Sequence, residues 1–370
     1  MKKFGFGLMR LPVTGENHDQ IDLETFQQMA DAFLAAGGTY FDTAYPYHDG
    51  LSEPAFREAV VKRYPREAYT ITDKLPIFLV KEKADMQRIF EEQLERCGVA
   101  YFDYYLLHAM SAPRYEWAKE VDAFGFVARM KAEGKIRHVG FSFHDTPEVL
   151  ETILSEHPEI EYVQLQLNYM DWESPSVQAR ACYEVAVAHG KPVIVMEPVK
   201  GGALANLPVA AHRFLKQQNP DLSVVSWAIR YAASMENVMM VLSGMSNMEQ
   251  MEDNLSYMKD FRPLSKAEME TVETIAQVIR SETAVNCTGC RYCITESKCP
   301  SQIPIPDLFD MYNKMKMNGG PRPLECYQTI TRNRGKASDC IACGMCEEHC
   351  PQHLPIREHL QTVAQIMEAE

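Results

Sequence analysis

Eight short runs rich in β-branched and aromatic residues, each followed by a longer amphipathic stretch, occupy residues 2–258 of this 370-residue chain. The runs are FGFGLM, TYFDTA, YTITDKL, YFDYYLLH, HVGFSF, YVQLQLN, PVIVMEP and NVMMVLS. Helical periodicity lies between them, as at 22–36, 83–97, 174–189 and 248–257, and Gly37-Gly38 and Gly98 stand where helix C-caps belong. Such alternation demands a parallel sheet covered by helices. Eight units in this length predict an α/β fold closed as a (β/α)8 TIM barrel, in preference to an open doubly wound sheet. Asp42, Lys74, His108 and Ser142 recur at near-equal intervals at the ends of successive strands. A closed barrel would gather them on its C-terminal rim, where barrel enzymes carry their chemistry.

After residue 258 the alternation stops. A turn and a helix lead to about residue 280, so the expected division is a barrel over 1–265 and a smaller domain over 266–370. That second part holds two cysteine ladders, CTGCRYCITESKCP from Cys287 and CIACGMCEEHCP from Cys340. The latter follows C-x2-C-x2-C-x3-C-P, the spacing of two-cluster bacterial ferredoxins, in which the fourth cysteine ligates the other cluster. This predicts one [4Fe–4S] cluster on Cys287, Cys290, Cys293 and Cys350, and a second on Cys340, Cys343, Cys346 and Cys299. The longer gap before Cys299 is tolerated because that residue leaves its own ladder. Zinc sites instead use paired C-x2-C units. Helical signals at 307–317 and 356–367 predict a mainly α-helical ferredoxin-like domain. The three remaining cysteines, Cys97, Cys182 and Cys326, read as small buried apolar side chains.

Composition narrows the partners. Eleven cysteines in a chain whose first residues do not read as a secretory signal point to metal or catalysis rather than disulfides, and to the cytoplasm. No window approaches the ~18 apolar residues of a membrane span. The net charge of −14, most of it before residue 281, argues against nucleic acid. The basic run TRNRGK at 331–336 reads as a solvated loop, with docking of an acidic protein as the lesser alternative.

On the rim, a phenol is a reluctant proton donor at neutral pH. An ammonium at Lys74, held by Asp42, would favour the Tyr47 phenolate and make Tyr47 a general acid for a carbonyl oxygen. His108 would donate to the same oxygen.

GLMRLP, FDTAYPYHDGLSE, TDK and LLH resemble the aldo/keto reductases, and the resemblance continues through GKIRHVGFSF, YVQLQLNY and LSGMSNMEQMEDNL, spanning residues 3–258. It implies a (β/α)8 enzyme using NADP(H) or NAD(H), with an Asp-Tyr-Lys-His tetrad at Asp42, Tyr47, Lys74 and His108. It further implies nicotinamide contacts at Ser142 and Gln164, and contacts along the adenosine end at Ser246, Gln250, Asp253 and Asn254. The chain departs from the family pattern at His48, Phe143 and Met196, and Gly244 and Gln250 stand where some members carry a basic pair. The whole chain resembles the subgroup with a C-terminal iron–sulfur extension.

A hydride carries two electrons together and a [4Fe–4S] cluster passes one, and no flavin motif joins them. The leading expectation is NAD(P)H-dependent reduction of an aldehyde or ketone, or the reverse. Two alternatives stand beside it: an electron-transfer protein whose barrel is a docking scaffold for a redox protein such as ferredoxin, and a redox-sensing binding module. The segment AMSAPRYEW offers aromatic residues to the substrate without a diagnostic charge.

Overall fold

A computed structural model of the chain describes residues 3–15, 19–297, 299–318 and 321–369. Met1 and Lys2 of the N-terminal segment, and Gly319 and Gly320 between the ladders, lie outside them. All eight runs form parallel strands: β1 Phe4–Gly7, β2 Tyr40–Asp42, β3 Thr70–Leu75, β4 Phe102–Met110, β5 Ile136–Phe143, β6 Tyr162–Gln166, β7 Val193–Met196 and β8 Val238–Gly244. Each pairs with the next, and β8 closes on β1 with Phe4 opposite Val241. Helices at Leu23–Ala35, Lys83–Cys97 and Met248–Met258 follow the predicted periodicity. The helix predicted from 174 starts later, at Ala179–Ala188. The residue before it, Gln178, is left-handed at φ 53, and Ser174 and Ser176 bond each other at 3.0 Å instead of entering a helix.

Local chemistry sets these boundaries. A capping box between Glu82 and Asp85 opens Lys83–Cys97, and Gly98 closes it at φ 70, a conformation that glycine adopts without penalty. Inside the barrel, Tyr40, Leu106, Tyr162, Ile194 and Leu242 form an apolar plug. Between strands and helix Leu23–Ala35, the rings of Phe33 and Phe41 meet edge-on at 5.2 Å, and Phe4 meets Phe33 at 6.1 Å. The apolar plug leaves the strand ends to the polar side chains.

The chain forms two compact units. One comprises Met1–Glu173, Gln178–Pro198 and Val225–Ser265, and the other Ser174–Val177, Val199–Val224 and Lys266–Glu370. The second unit is helical among its described residues, with Val209–Gln218, Lys266–Glu282, Ile305–Asn318, Leu324–Thr331 and Ile356–Met367. Ile303, Ile305, Leu308, Phe309, Ile356, Leu360 and Val363 form a core that includes Cys293, Cys346 and Cys350. Of the three residual cysteines, Cys97 and Cys182 are buried as expected, but Cys326 is exposed. Its helix buries Tyr327 and Thr331, one face at i, i+4 spacing, and Cys326 lies off that face. Arg332, Asn333 and Arg334 of the basic run are exposed in a turn. Among the described residues no helix is long and apolar enough to cross a membrane.

Candidate functional site

In the barrel unit, Asp42 ends β2 and Lys74 projects from β3, and both are buried. Lys74 Nζ donates to Asp42 Oδ1 at 2.7 Å and to the Thr43 carbonyl at 2.6 Å. Gln164, from β6, donates Nε2 to Asp42 Oδ2 at 3.2 Å, so this residue joins the same network. Burial holds the Asp42 carboxyl above its ordinary range, opposed by the adjacent Lys74 ammonium. The 2.7 Å contact is a charge-assisted hydrogen bond.

Tyr47 opens a tight turn in which His48 and Asp49 are left-handed, at φ 53 and 54. Neither is glycine, and each costs about 1–2 kcal/mol in that conformation. The buried His48 offsets part of this by accepting the Leu11 N–H at Nε2, 3.1 Å away. The turn sets the Tyr47 ring with Lys74 Nζ 4.8 Å from its centroid and the His108 ring at 6.2 Å, nearly perpendicular. The expectation that Lys74 lowers the Tyr47 pKa is corrected here. Burial first, then the negative charges of Asp42, Asp73 and Glu197, hold the phenol well above its ordinary value. The group therefore stays an O–H donor at neutral pH.

His108 owes its aim to a bulge. The β4–β5 register shifts between Leu107 and Met110, and Ala109 is left-handed at φ 56. Ser142 Oγ accepts the Ala109 N–H at 2.7 Å, and Arg114 Nη1 donates to the Ala109 carbonyl at 2.9 Å. Burial, then the charges of Lys74 and Arg114, push the His108 pKa well down, so the ring is neutral. Its buried Nδ1 has no partner among the described residues. Phe78 packs against it at 5.6 Å, with Arg114 over Phe78 at 4.9 Å. Sequence reasoning missed Phe78 and Arg114; the segment after β4 does carry a charge, lodged in the helix Ala112–Glu120.

Behind Lys74, on the opposite face of β3, Asp73 Oδ1 accepts from the Lys74 N–H at 2.8 Å and from Gln93 Nε2 at 2.8 Å. Glu53 and Cys97 complete a buried cluster whose ligating atoms lie within 4.8 Å of one another. Burial, then Glu53, holds Asp73 well above the carboxylate range, and burial raises Glu53. Two carboxyls so placed share a proton.

The adenosine-end residues sit at the start of Met248–Met258. Gln250 N–H bonds the cap residue Asn247 at 2.9 Å, and Gln250 Oε1 accepts the Ser246 N–H at 2.8 Å. Ser246 Oγ donates to the Arg10 carbonyl at 2.9 Å. Asp253 is half-buried one turn along, whereas Asn254 is buried between Ser243 and the Tyr257 hydroxyl. A Cβ on Gly244 would meet the Arg10 stem at 3.2 Å, so the Arg10 side chain packs beside this position.

In the second unit the ladders cross. Cys287, Cys290, Cys293 and Cys350 line one pocket, and Cys299, Cys340, Cys343 and Cys346 another. Burial, then Cys290, Cys287 and Cys350, pushes the Cys293 thiol up, and burial, then Glu347, pushes Cys346 up to about 11. Thiols massed this way suit a metal that takes them as thiolates. The Gly289 N–H points at Cys287 Sγ at 3.4 Å, and the buried Thr288 Oγ1, lining the first pocket, has no partner among the described residues. Both fit the acceptor sulfurs of an iron–sulfur cluster.

A family model described as the aldo/keto reductase family matches residues 3–277. The chain belongs to that family. A second model, a 4Fe-4S dicluster domain, matches residues 286–354. Among relatives, an aldo-keto reductase of Mycobacterium avium is 26% identical over 265 residues, 71% of this chain and 86% of the relative. An NADH-specific methylglyoxal reductase of Escherichia coli is 22% identical, covering 60% of this chain and 78% of its own. In fold, an aldo/keto reductase structure from Klebsiella pneumoniae, in complex with NADP and acetate, aligns with a TM-score of 0.60 and 21% identity. That alignment covers 74% of this chain and 90% of that one. The two matches make this chain an oxidoreductase of the aldo/keto reductase family with a 4Fe-4S dicluster domain after its barrel.

Proposed function

We propose that this aldo/keto reductase reduces a small aldehyde or ketone with NADP(H) or NAD(H), or oxidises the corresponding alcohol, and holds two [4Fe–4S] clusters. The observation that carries the reading is the buried Lys74–Asp42 pair set against the Tyr47 ring, with neutral His108 at its edge. When bound, NAD(P)H supplies a hydride to the carbonyl carbon. Tyr47 gives its phenolic proton to the oxygen that takes up the electron pair. His108 donates a ring N–H to the same oxygen. Lys74, fixed by Asp42 and the Thr43 carbonyl, stabilises the phenolate left behind. Ser142 and Gln164 hold the nicotinamide end, and Ser246, Gln250, Asp253 and Asn254, with Arg10, the adenosine end. Cys287, Cys290, Cys293 and Cys350 hold one cluster, and Cys340, Cys343, Cys346 and Cys299 the other; such clusters pass single electrons.

The test is anaerobic purification followed by NADPH oxidation against a panel of aldehydes and ketones. Tyr47→Phe is expected to lower turnover by ~10²–10⁴, the worth of a positioned proton donor. Unaltered turnover in that variant would sink the mechanism. A second reading, one-electron exchange with a redox protein such as ferredoxin, is favoured by the exposure of Cys343 and of Ile341, 65% exposed beside Cys340. Reduced ferredoxin without NADPH should then generate the clusters' EPR signals, and silence would remove it.

A further inference from the structure

The strand that carries Lys74 outruns its neighbour. β2 stops at Asp42, and the Thr43 N–H donates to the Thr72 carbonyl at 2.9 Å, so Thr72 faces β2. Backbone groups along a parallel strand turn alternately to its two neighbours, and the Lys74 N–H and carbonyl therefore face the side that β2 has vacated. Side chains take the place of the missing strand. Asp73 Oδ1 accepts the Lys74 N–H at 2.8 Å. Gln93 Nε2, from the helix Lys83–Cys97, donates to the Lys74 carbonyl at 3.0 Å and to Asp73 Oδ1 at 2.8 Å. The Tyr105 hydroxyl holds the other end of that amide, donating to Gln93 Oε1 at 2.5 Å. All four residues are fully buried, so loss of either bracket leaves a Lys74 peptide group without a partner or water.

The same helix grips the segment that carries Tyr47. Just before Tyr47, the Tyr45 hydroxyl donates to Glu92 Oε2 at 2.7 Å, and Arg96 lies 4.3 Å over the Tyr45 ring. Just after it, Glu53, in the short helix Ser52–Phe56, accepts from Arg96 Nη1 at 3.3 Å through Oε2. Its other oxygen, Oε1, is buried with no donor among the described residues, and the Asp73 carboxyl stands beside it. The proton that the two carboxyls share satisfies that oxygen and ties the Tyr47 segment to the Lys74 strand.

We propose that Asp73 and Gln93, joined to Glu53, are positioning residues that set Lys74 against the Tyr47 ring from behind the sheet. They touch neither substrate nor cofactor and act through Lys74. The inference rests on the Tyr47–Lys74 mechanism above. The full chain, purified anaerobically, is assayed with NADPH and an aldehyde that the wild type reduces, and kcat is scaled to the NADPH sites counted by titration. Asp73→Ala is expected to lower kcat by roughly 10²-fold, the scale of a small misplacement at the reacting atoms, with KM for NADPH unchanged. Asp73→Asn should restore kcat, because its amide oxygen still accepts from Lys74 and Gln93 and its N–H replaces the shared proton toward Glu53. Gln93→Met should show the same loss of kcat alone, and it decides if Asp73→Ala does not fold. Cys97→Ala removes a thiol 3.6 Å from Asp73 but no bond to Lys74. It should lower the unfolding midpoint and leave kcat unchanged. Wild-type kcat in both Asp73→Ala and Gln93→Met, no recovery in Asp73→Asn, or an equal loss in Cys97→Ala overturns the inference. A wild type that reduces no carbonyl, or full turnover in Tyr47→Phe, overturns the mechanism and the inference together. Turnover that needs Tyr47 but not Asp73 or Gln93 overturns the inference alone.

Discussion

The barrel rim and the cysteine pockets bury reactive groups by opposite means. In the barrel, buried charge comes with its partner: Lys74 with Asp42, and the Glu53–Asp73 carboxyls with a shared proton and the Arg96 guanidinium 3.3 Å from Glu53. In the second unit, thiols face thiols, and burial among negative neighbours raises Cys293 and Cys346. The first arrangement is complete from the chain's own residues. The second gains its cohesion only when metal replaces the thiol protons.

Removing the iron is the largest test of that difference. Because Cys293, Cys346 and Cys350 belong to the hydrophobic core of their unit, chelation should strip amide-exchange protection from residues 286–354 and spare the eight strands. Equal protection before and after chelation would show that the cysteine unit, too, is self-sufficient. Next in size is the barrel's ion pair. Lys74→Met leaves Asp42 buried without its cation and should cost about 3–5 kcal/mol in denaturant unfolding. Adding Asp42→Asn should recover part of it, and an additive double variant would mean the two charges do not support each other.

A pH scan probes the carboxyl pair. The folded pKa of Asp73 is raised, so its contribution is full below the ordinary carboxylate range and is lost as pH rises toward the folded pKa. Wild-type stability should fall over that window with a slope of up to about 1.4 kcal/mol per pH unit for one proton. Asp73→Asn should flatten it, and parallel profiles would refute the shared proton. The smallest expected effect is at Arg10. Arg10→Met should raise KM for NADPH roughly fivefold, the scale of an exposed ionic contact near ~1 kcal/mol, with KM for NADH unchanged. Equal shifts for both cofactors would make Arg10 a structural residue.

Much of this was legible beforehand because it is written as period and spacing. Eight strand–helix alternations specify the closed sheet, and the near-equal intervals among Asp42, Lys74 and His108 place them on one rim. The ladder spacing, with its proline after each last cysteine, carries the exchange of Cys299 and Cys350. What stayed hidden depends on contacts between distant segments. The direction of the Tyr47 shift follows from exclusion of water, which no residue spacing encodes. Asp73 looks like a strand-end polar residue until Glu53 and Gln93 meet it behind the sheet. The Ala109 bulge that aims His108 is stabilised by Ser142, from another strand, and Arg114, from the following helix.

The exchange of last cysteines also bears on how the protein is made. The pocket begun by Cys287 cannot close until Cys350 has left the ribosome, although three of its thiols emerge long before. Throughout that interval the nascent chain displays an open three-thiol claw. Whatever delivers iron and sulfide must therefore either wait for translation to pass Cys350 or shield the claw until it does.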